Sequence, residues 1–550
     1  MKTLDPSKRD KIIKGVAIGI ASALMVVALG GMVLSRIATK RLHKALAEMP
    51  GIQIDFKTVN FSPILGDLKF RDVEIAINDS TNTSPRIEGH IAAIELERFS
   101  WKSLVRGEAR AKRLVIRKPS AQVVLPGKKA VKKKAKKSTK KKDATTAMAD
   151  SSFLKKVSLS ELRVEKGKIG LKNQKNRLKV SAQGISFSFR DIGFLLAENR
   201  LEYNDSCYSL ALDSLDFTDE KGLSRVKMGH MSTADAGPVK AKGLRLFSGA
   251  SQEKVAEKMG KVAAMWYDVK LNNMVTSPVN IPRMIQNKRV EIDSISVSGP
   301  EIVLLQDDRY PPPIPYPTFQ EGLNTIKMPL KIKRIDARVK AFTFIWETTN
   351  VNRGTFPMHD VRISINSASN ARNNLMKMGI KSGNDKYGRL DLSLLIRNNQ
   401  QESTQGTMKI SGLDASRLDA FVRPLFGATA KANIHKIDCT FNGDKYKMTE
   451  NFCMLYDNLT LTAWKDSSAP FKIVADNNKF VSFLANTAAA NSNPSKPGKE
   501  PKRVEVTFER DPMTPYPSYI IQNLTMGMLR TVLPGGDVSK AKNRNKKNKK

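Results

Sequence analysis

The chain has 550 residues, of which 40% are hydrophobic, which is enough for three or four domains or for one long repetitive architecture. The net charge of +40 first suggests a nucleic-acid partner, but much of it is local: ten lysines lie in 128–142 and seven basic residues in 540–550. Three cysteines are too few for a disulfide framework, although Cys439 and Cys453 could meet across neighbouring strands.

The first predicted element is a membrane anchor. Residues 15–34 carry no charge over a length that lets a helix cross a hydrocarbon core of ~30 Å. A cleaved signal peptide is the alternative, because the tail 1–14 is basic. The apolar run exceeds the ~7–15 residues of a signal peptide, and the cleavage site that follows it is poor. We predict a cytoplasmic tail at 1–14, one uncleaved transmembrane anchor at 15–35, and the rest of the chain across the membrane.

An N-terminal β region is predicted at 36–125. It begins with a helix at 36–49, which Pro50-Gly51 ends. Strands follow, and their alternation of apolar and polar residues slips at Arg71-Asp72, as a bulge would require. Two further strands flank Lys118-Pro119.

The segment 126–150 changes character, because it is rich in lysine and has no apolar periodicity. We predict that it and the basic tail 534–550 are disordered. The run lacks the interleaved aromatic residues of single-strand nucleic-acid binding. It is either a solvated loop or a contact with an anionic bilayer, where each basic residue contributes ~1 kcal/mol. The residues of that contact would be Lys132, Lys133, Lys134, Lys136, Lys137, Lys140, Lys141 and Lys142.

A middle β region is predicted at 151–350. Its clearest helix is 252–270, where apolar residues recur every three or four positions. These residues are Val255, Met259, Val262, Met265 and Trp266. The proline-rich stretch 310–317 is predicted to be stiff and extended.

A C-terminal β region is predicted at 351–533, interrupted by helices at 415–426 and 518–533. A polar loop is expected at 485–501. The second helix would end the folded part of the chain.

Four segments repeat one pattern, a short strand, a turn often marked by Gly or Pro, and a second strand. They span 114–125, 162–171, 295–304 and 335–344. We interpret each as a hairpin, which cannot bury its own apolar face and must join a larger sheet. The predicted fold is mainly β with a few helices, in which a long antiparallel sheet curls into a groove that is open on one side. Separate globular domains are the alternative.

The same alternation predicts which side chains line the dry face of that groove. They are Phe61, Phe70, Ile116, Leu171, Phe187, Ile295, Val297, Leu304, Phe344, Leu392 and Leu461.

No catalytic signature is present. The five histidines are scattered without metal-ligand spacing, and neither a nucleophile elbow nor a glycine-rich phosphate loop occurs. We expect no enzymatic activity, no cofactor and no metal.

Motifs at both ends of the chain carry a family resemblance. FSPILGDLKFRDVEI (61–75) leads into IELERFSWKSLVRGEARAKRLVIRKPSAQVVL (94–125), behind an N-terminal anchor. At the other end stand GTMKISGLDASRLDAFVRPLFGATA (406–430), FCMLYDNLTLTAW (452–464) and VTFERDPMTPYPSYIIQNLTMGMLRTVL (506–533). This arrangement resembles the AsmA-like family in its Bacteroidetes-type form. The lysine-rich insertion departs from the family pattern.

The resemblance implies a protein of the bacterial inner membrane that projects a repeating β-groove into the periplasm. Its partners would be membrane phospholipids and envelope proteins, with no nucleic acid and no small-molecule substrate. The implied function is a lipid conduit or an envelope-assembly factor that supports outer-membrane integrity. The alternative is a scaffold that recruits envelope proteins through its sheet edge and binds no lipid.

Overall fold

The computed structural model describes residues 52–62, 65–77, 86–125, 155–195, 200–349, 352–383, 388–426, 428–463 and 490–532. The chain divides into two units, one before and one after the Gly237–Pro238 bond, and both are mainly β as predicted. The predicted anchor 15–35, the helix 36–49, the lysine-rich segment 126–150 and the tail 534–550 lie outside the described residues. Within the described ranges, no helix is both long and apolar enough to span a bilayer.

Unit 1, the part before Pro238, contains twelve described strands and one short helix. The strands are β1 Ile52–Ser62, β2 Asp67–Ile77, β3 Arg86–Glu97, β4 Glu108–Arg117, β5 Ser120–Leu125, β6 Lys156–Asn173, β7 Lys179–Leu195, β8 Arg200–Glu202, β9 Tyr208–Leu212, β10 Ser214–Thr218, β11 Ser224–Met228 and β12 His230–Ala234, and the helix is α1 Trp101–Leu104.

The strands of unit 1 follow one another across the sheet in chain order. β2 lies between β1 and β3, and β4 and β5 together lie between β3 and β6. β7 pairs with β6 on one side and with β8, β9 and β10 on the other, and β11 and β12 continue beyond β10 and β9.

Unit 2, the part from Pro238 onward, contains the other twelve described strands and most of the described helices. The strands are β13 Pro238–Ser248, β14 Trp266–Pro278, β15 Val290–Ser298, β16 Glu301–Asp307, β17 Leu330–Glu347, β18 Arg353–Ser369, β19 Leu375–Lys381, β20 Arg389–Arg397, β21 Thr404–Asp414, β22 Ala428–Gly443, β23 Lys447–Ala463 and β24 Arg503–Glu509. The helices are α2 Gln252–Met259, α3 Ile281–Gln286, α4 Phe319–Asn324, α5 Asp419–Phe426 and α6 Tyr516–Val532, with a 3₁₀ turn at Ala415–Leu418 before α5.

The four repeated segments are not hairpins. β4 and β5 do not pair with each other; they run in line, both antiparallel to β3 and both parallel to β6. β15 and β16 do the same between β14 and β17. The segments 162–171 and 335–344 lie within the single long strands β6 and β17. What looked like a turn in the sequence is a break in a strand that continues in the same direction.

The predicted antiparallel sheet is therefore mixed. Among the described strand pairs, each unit contains one parallel junction, β4 and β5 with β6 in unit 1, and β15 and β16 with β17 in unit 2. A parallel neighbour requires a connection of about a dozen residues or more. The lysine-rich segment lies in that connection in unit 1. In unit 2 the corresponding connection holds the proline-rich stretch, which has no regular secondary structure, and α4.

The predicted phase slip at Arg71-Asp72 is confirmed, but no residue is inserted. Asp72 has φ 49°, in the left-handed region. Phe56 opposes Val73 and Thr58 opposes Arg71, so the pairing skips one residue on each strand and the register is kept. Phe70 and Val73 are three apart and still pack in the same apolar cluster, which a regular strand would not allow.

The predicted helix 252–270 ends early. Ser251 caps α2 by accepting a hydrogen bond from the Lys254 N–H, and Gly260 ends it at φ 77°. Only the first two members of the predicted apolar face, Val255 and Met259, are helical. Trp266 already belongs to β14.

One face of unit 1 is ionic. Arg117 contacts Glu95 at 3.0 Å and Glu165 at 2.6 Å across three strands. Arg113 bridges Glu97 and Glu161 in the same way. Strand alternation turns these side chains away from those of Leu114 and Ile116, which leaves the opposite face apolar.

Unit 2 has the larger core, between the apolar face of β18–β24 and the helix α6. All three cysteines are free. Cys439 opposes Phe452, whereas Cys453 opposes Asp438, the residue next to Cys439. Directly opposed residues share a face and successive residues do not, so Cys439 and Cys453 point to opposite sides of the sheet and cannot meet.

Candidate functional site

The apolar face of unit 1 contains five of the predicted groove residues. Three share one row of directly opposed side chains, in which Phe70, Ile116 and Phe187 are joined through Ile94 and Val164. Phe187 is half-buried and packs edge-on to Phe189 with 5.9 Å between ring centroids. The only described helix of unit 1 is α1, so no described helix lies along this row.

Phe61 and Leu171 lie elsewhere on that face. Phe61 opposes Leu68 and packs in a cluster with Leu96. Leu171 opposes Val123 on β5, and its side chain is half-buried. These five residues therefore lie on one face, as the alternation predicted. Breaks in β2, in β6 and between β4 and β5 change which positions of the alternating pattern point to that face.

In unit 2 the predicted residues divide between a row and an aromatic cluster. Val297 opposes Ala337, and the row continues through Ile363 and Ile380 to Leu392. Ile295 lies two residues before Val297 and opposes Ile335.

Leu304 and Phe344 belong to the cluster. They oppose each other across β16 and β17, and pack with Trp346 and with Phe421 of α5. Phe344 has no exposed surface. Phe344 is therefore a core residue, and the half-buried Leu304 packs against that core.

An apolar cavity of about 440 Å³ lies between the apolar face of β17–β23 and the helices α5 and α6. Leu392 and Leu461 line it, as do Met408, Ile410 and Ile437. Among the residues that the structure describes, no charged side chain lines the cavity, and the hydroxyl-bearing ones are Ser382, Thr429, Thr525 and Tyr456.

Tyr456 is the titratable residue among the described ones that line the cavity. Its hydroxyl donates to the Ala490 carbonyl at 2.9 Å. Burial raises the pKa of Tyr456 to about 12, so the phenol stays protonated at any physiological pH. The described lining of the cavity therefore presents no ionised group to a ligand.

Helix α6 has two adjacent stripes of side chains, one packed against the sheet and one facing the cavity. Tyr519, Asn523, Gly527 and Thr531, four residues apart, are buried against the sheet. The polar members of this stripe bond within the helix: Asn523 donates to the Tyr519 carbonyl and Thr531 to the Gly527 carbonyl. The next stripe faces the cavity and consists of Ile520, Leu524, Met528 and Val532.

Gly527 sets how closely α6 approaches the sheet. A Cβ added there would lie 2.6 Å from the Phe452 ring and 2.8 Å from Glu450 Oε1. Only glycine lets the helix backbone lie this close to β23.

Most of the residues that line the cavity were not predicted from the sequence. Met408, Ile410, Ile437 and Met454 alternate regularly on β21, β22 and β23, so the alternation was visible. The contribution of α6 was not, because the sequence predicts an amphipathic helix without indicating which strands it covers. The predicted anionic-surface lysines lie outside the described residues.

The described histidines that lie beside aspartates form ordinary surface pairs. His435 lies 2.7 Å from Asp457, and His90 and His230 lie 3.8 Å and 3.7 Å from aspartates, all with exposed side chains. Such exposed pairs contribute ~0–1 kcal/mol. The described part of the chain contains no group of three His, Cys, Asp or Glu residues that could hold a metal ion.

No family model matches the sequence, and no curated protein matches it either. The AsmA-like resemblance stays a prediction.

Proposed function

We propose that this chain is a non-enzymatic lipid conduit or envelope-assembly factor of the AsmA-like type, which takes phospholipid acyl chains into the cavity beneath α6. The observation that carries the proposal is that the described residues lining a cavity of about 440 Å³ include no charged side chain. Sites for polar small molecules hold a few placed polar groups within ~300–1,000 Å³. A cavity with so apolar a lining favours hydrocarbon, and each methylene that leaves water contributes ~0.8 kcal/mol.

The apolar face of unit 1 supports the same function. Its rows of half-buried side chains, Phe187 among them, extend across successive strands. A partly exposed apolar strip of this kind is characteristic of a binding surface. An acyl chain lying on it would be shielded from water on one side.

The anchor and the resemblance supply the proposed location. An uncleaved helix at 15–35 would hold the chain in the bacterial inner membrane, with its bulk in the periplasm and phospholipid close by. This part of the proposal rests on the sequence.

Native mass spectrometry of the full-length chain, released from detergent, tests the proposal. We expect bound phospholipid in the unmodified protein. Ile410→Trp fills the cavity and should lower the bound fraction several-fold. Lys409→Trp is the matched control, because Lys409 precedes Ile410 on β21 and is exposed on the opposite face, and it should retain lipid. Equal lipid in both variants, with melting temperatures unchanged, would place the lipid elsewhere.

An assembly scaffold is the second candidate. The cover that α5 and α6 form over the apolar face of unit 2 favours it, because a covered face is less accessible to lipid. Among the described residues, β24 pairs only with β23, which leaves an edge for a partner strand. Absence of phospholipid from the unmodified protein would favour the scaffold.

A further inference from the structure

A carboxyl group lies on the apolar face of unit 2. Glu450 of β23 opposes Phe441 on β22 and Val506 on β24, and it is 2% exposed. Its neighbours in this row are apolar along several strands. Buried carboxylates normally have an ion-pair partner or several hydrogen bonds, because an unpaired charge away from water is costly.

Glu450 has almost no such compensation. Its Oε2 accepts one hydrogen bond, from the Cys439 thiol at 3.4 Å, and a thiol is a weak donor. Its Oε1 has no hydrogen-bond partner among the described residues.

The charged and titratable groups facing Glu450 are few. From β22 there is the Cys439 thiol, whose pKa burial raises, so that it stays neutral. From α6 there is Arg530, which donates to the Glu505 carbonyl at 2.9 Å and acts on Glu450 only through its charge. From β24 the side chains on this face, such as Val506, do not titrate. Burial dominates and raises the pKa of Glu450 to about 7, although Cys439 and Arg530 act to lower it.

Helix α6 lies directly on this carboxyl group. The close approach of Gly527 places the helix backbone against Glu450 Oε1 and the Phe452 ring. Met528, the next residue, faces the cavity. The same helix turn therefore covers the carboxyl group and forms part of the cavity wall.

We propose that α6 is a gate over the apolar cavity, and that the protonation state of Glu450 controls it. With the proton on, the carboxyl group is neutral and α6 is seated. With the proton off, the carboxylate requires water, which reaches it only when α6 moves away from β23, and that movement opens the cavity. The gate itself stands on the geometry of α6, while the lipid it would admit rests on the proposed function.

Hydrogen exchange of the full-length chain in detergent tests the gate. Exchange of α6 amides is measured at pH 5.5 and pH 8, and corrected for intrinsic exchange rates. Opening that returns Glu450 to water lowers its pKa towards the ordinary carboxyl value, so we expect the opening equilibrium to rise roughly tenfold or more at pH 8. Amides of β20 and β21 should not share this change.

Two variants separate the carboxyl group from other effects of pH. Glu450→Gln keeps the shape of the side chain but replaces the carboxyl group by an amide that does not titrate. The pH dependence of α6 exchange should therefore disappear. Glu505→Gln removes an exposed carboxylate from the opposite face of β24 and should leave it intact. A pH response that persists in Glu450→Gln, or is absent from the unmodified protein, would overturn the gate.

Binding of a fluorescent phosphatidylcholine, whose headgroup charge is constant between these pH values, keeps the two proposals distinct. A gate that admits lipid predicts faster uptake at pH 8, and no such acceleration in Glu450→Gln. Exchange that depends on pH without any uptake would leave the gate standing and contradict the lipid function. Lipid uptake, together with α6 exchange that does not depend on pH, would support the lipid function and contradict the gate.

Discussion

The two units build the same strand pattern and treat its apolar face differently. In both, a broken strand runs parallel to a long one, β4 and β5 beside β6 and β15 and β16 beside β17. In unit 2, α5 and α6 pack over the apolar face and line a cavity between themselves and the sheet. In unit 1, the row through Phe70 and Phe187 has no described helix along it.

Alternation of apolar and polar residues along a strand therefore does not by itself distinguish a groove from a core. Phe187 and Phe344 both occupy apolar-face positions on long strands, yet Phe187 is half-buried and Phe344 is fully buried. The difference comes from elements distant in sequence, since Phe421 of α5 packs on Phe344.

The largest expected effect is therefore a matched pair of substitutions. Phe344→Asp places an unpaired carboxylate among aromatic rings and should destabilise unit 2 by about 4 kcal/mol or more. Phe187→Asp keeps access to water and should cost unit 1 about 1–2 kcal/mol. Denaturant titration of both variants measures this, and equal losses would mean that the face of unit 1 is as closed as that of unit 2.

The pH dependence of the two units should have opposite signs. The raised pKa of Glu450 means that the unfolded state releases this proton first, so unit 2 loses stability as pH rises from about 4.5 to about 7. The loss is up to about 3 kcal/mol and should vanish in Glu450→Gln.

In unit 1 burial acts to raise the pKa of Glu95, but hydrogen bonds and charge from Lys69 and Arg117 hold it below the ordinary value. Unit 1 should therefore keep its stability above about pH 4.5 and lose it as pH falls further. Residue-resolved hydrogen exchange separates the two units, and a common sign in both would contradict this assignment.

A glycine pair tests whether α6 depends on its close contact with β23. Alanine normally stabilises a helix over glycine by ~1 kcal/mol, and Gly322→Ala in α4, where the added Cβ meets nothing within 4 Å, should show this gain. Gly527→Ala should instead cost about 2 kcal/mol, because the added carbon overlaps the Phe452 ring. Thermal melts of both variants decide, and a gain at both sites would mean that α6 is loosely seated.

The smallest effect is expected for the lysine-rich segment. Deleting 128–142 leaves about fifteen residues between Leu125 and Lys156, which still suffices for a parallel connection. We expect a change below about 1 kcal/mol in the stability of unit 1, with any loss confined to salt-sensitive binding to anionic vesicles. A large fall in melting temperature would show that the segment packs on the sheet.

The class of the fold and the apolar face of the strands could be predicted from the sequence alone. The mainly β architecture, the phase slip at Asp72, the two C-terminal helices and the shared face of Phe70, Ile116 and Phe187 were all readable from it. They follow from the period of the side chains along a strand or a helix, which is local.

Which strands are neighbours could not be predicted from the sequence, because it depends on pairing between distant segments. Strand–turn–strand patterns became broken strands with parallel partners, because a break at Lys118-Pro119 looks the same in sequence whether the chain reverses or continues. The separation of Cys439 from Cys453, the burial of Glu450 and the cavity beneath α6 have the same origin. Periodicity reports which side of a strand is dry, and pairing between distant segments decides what covers that side.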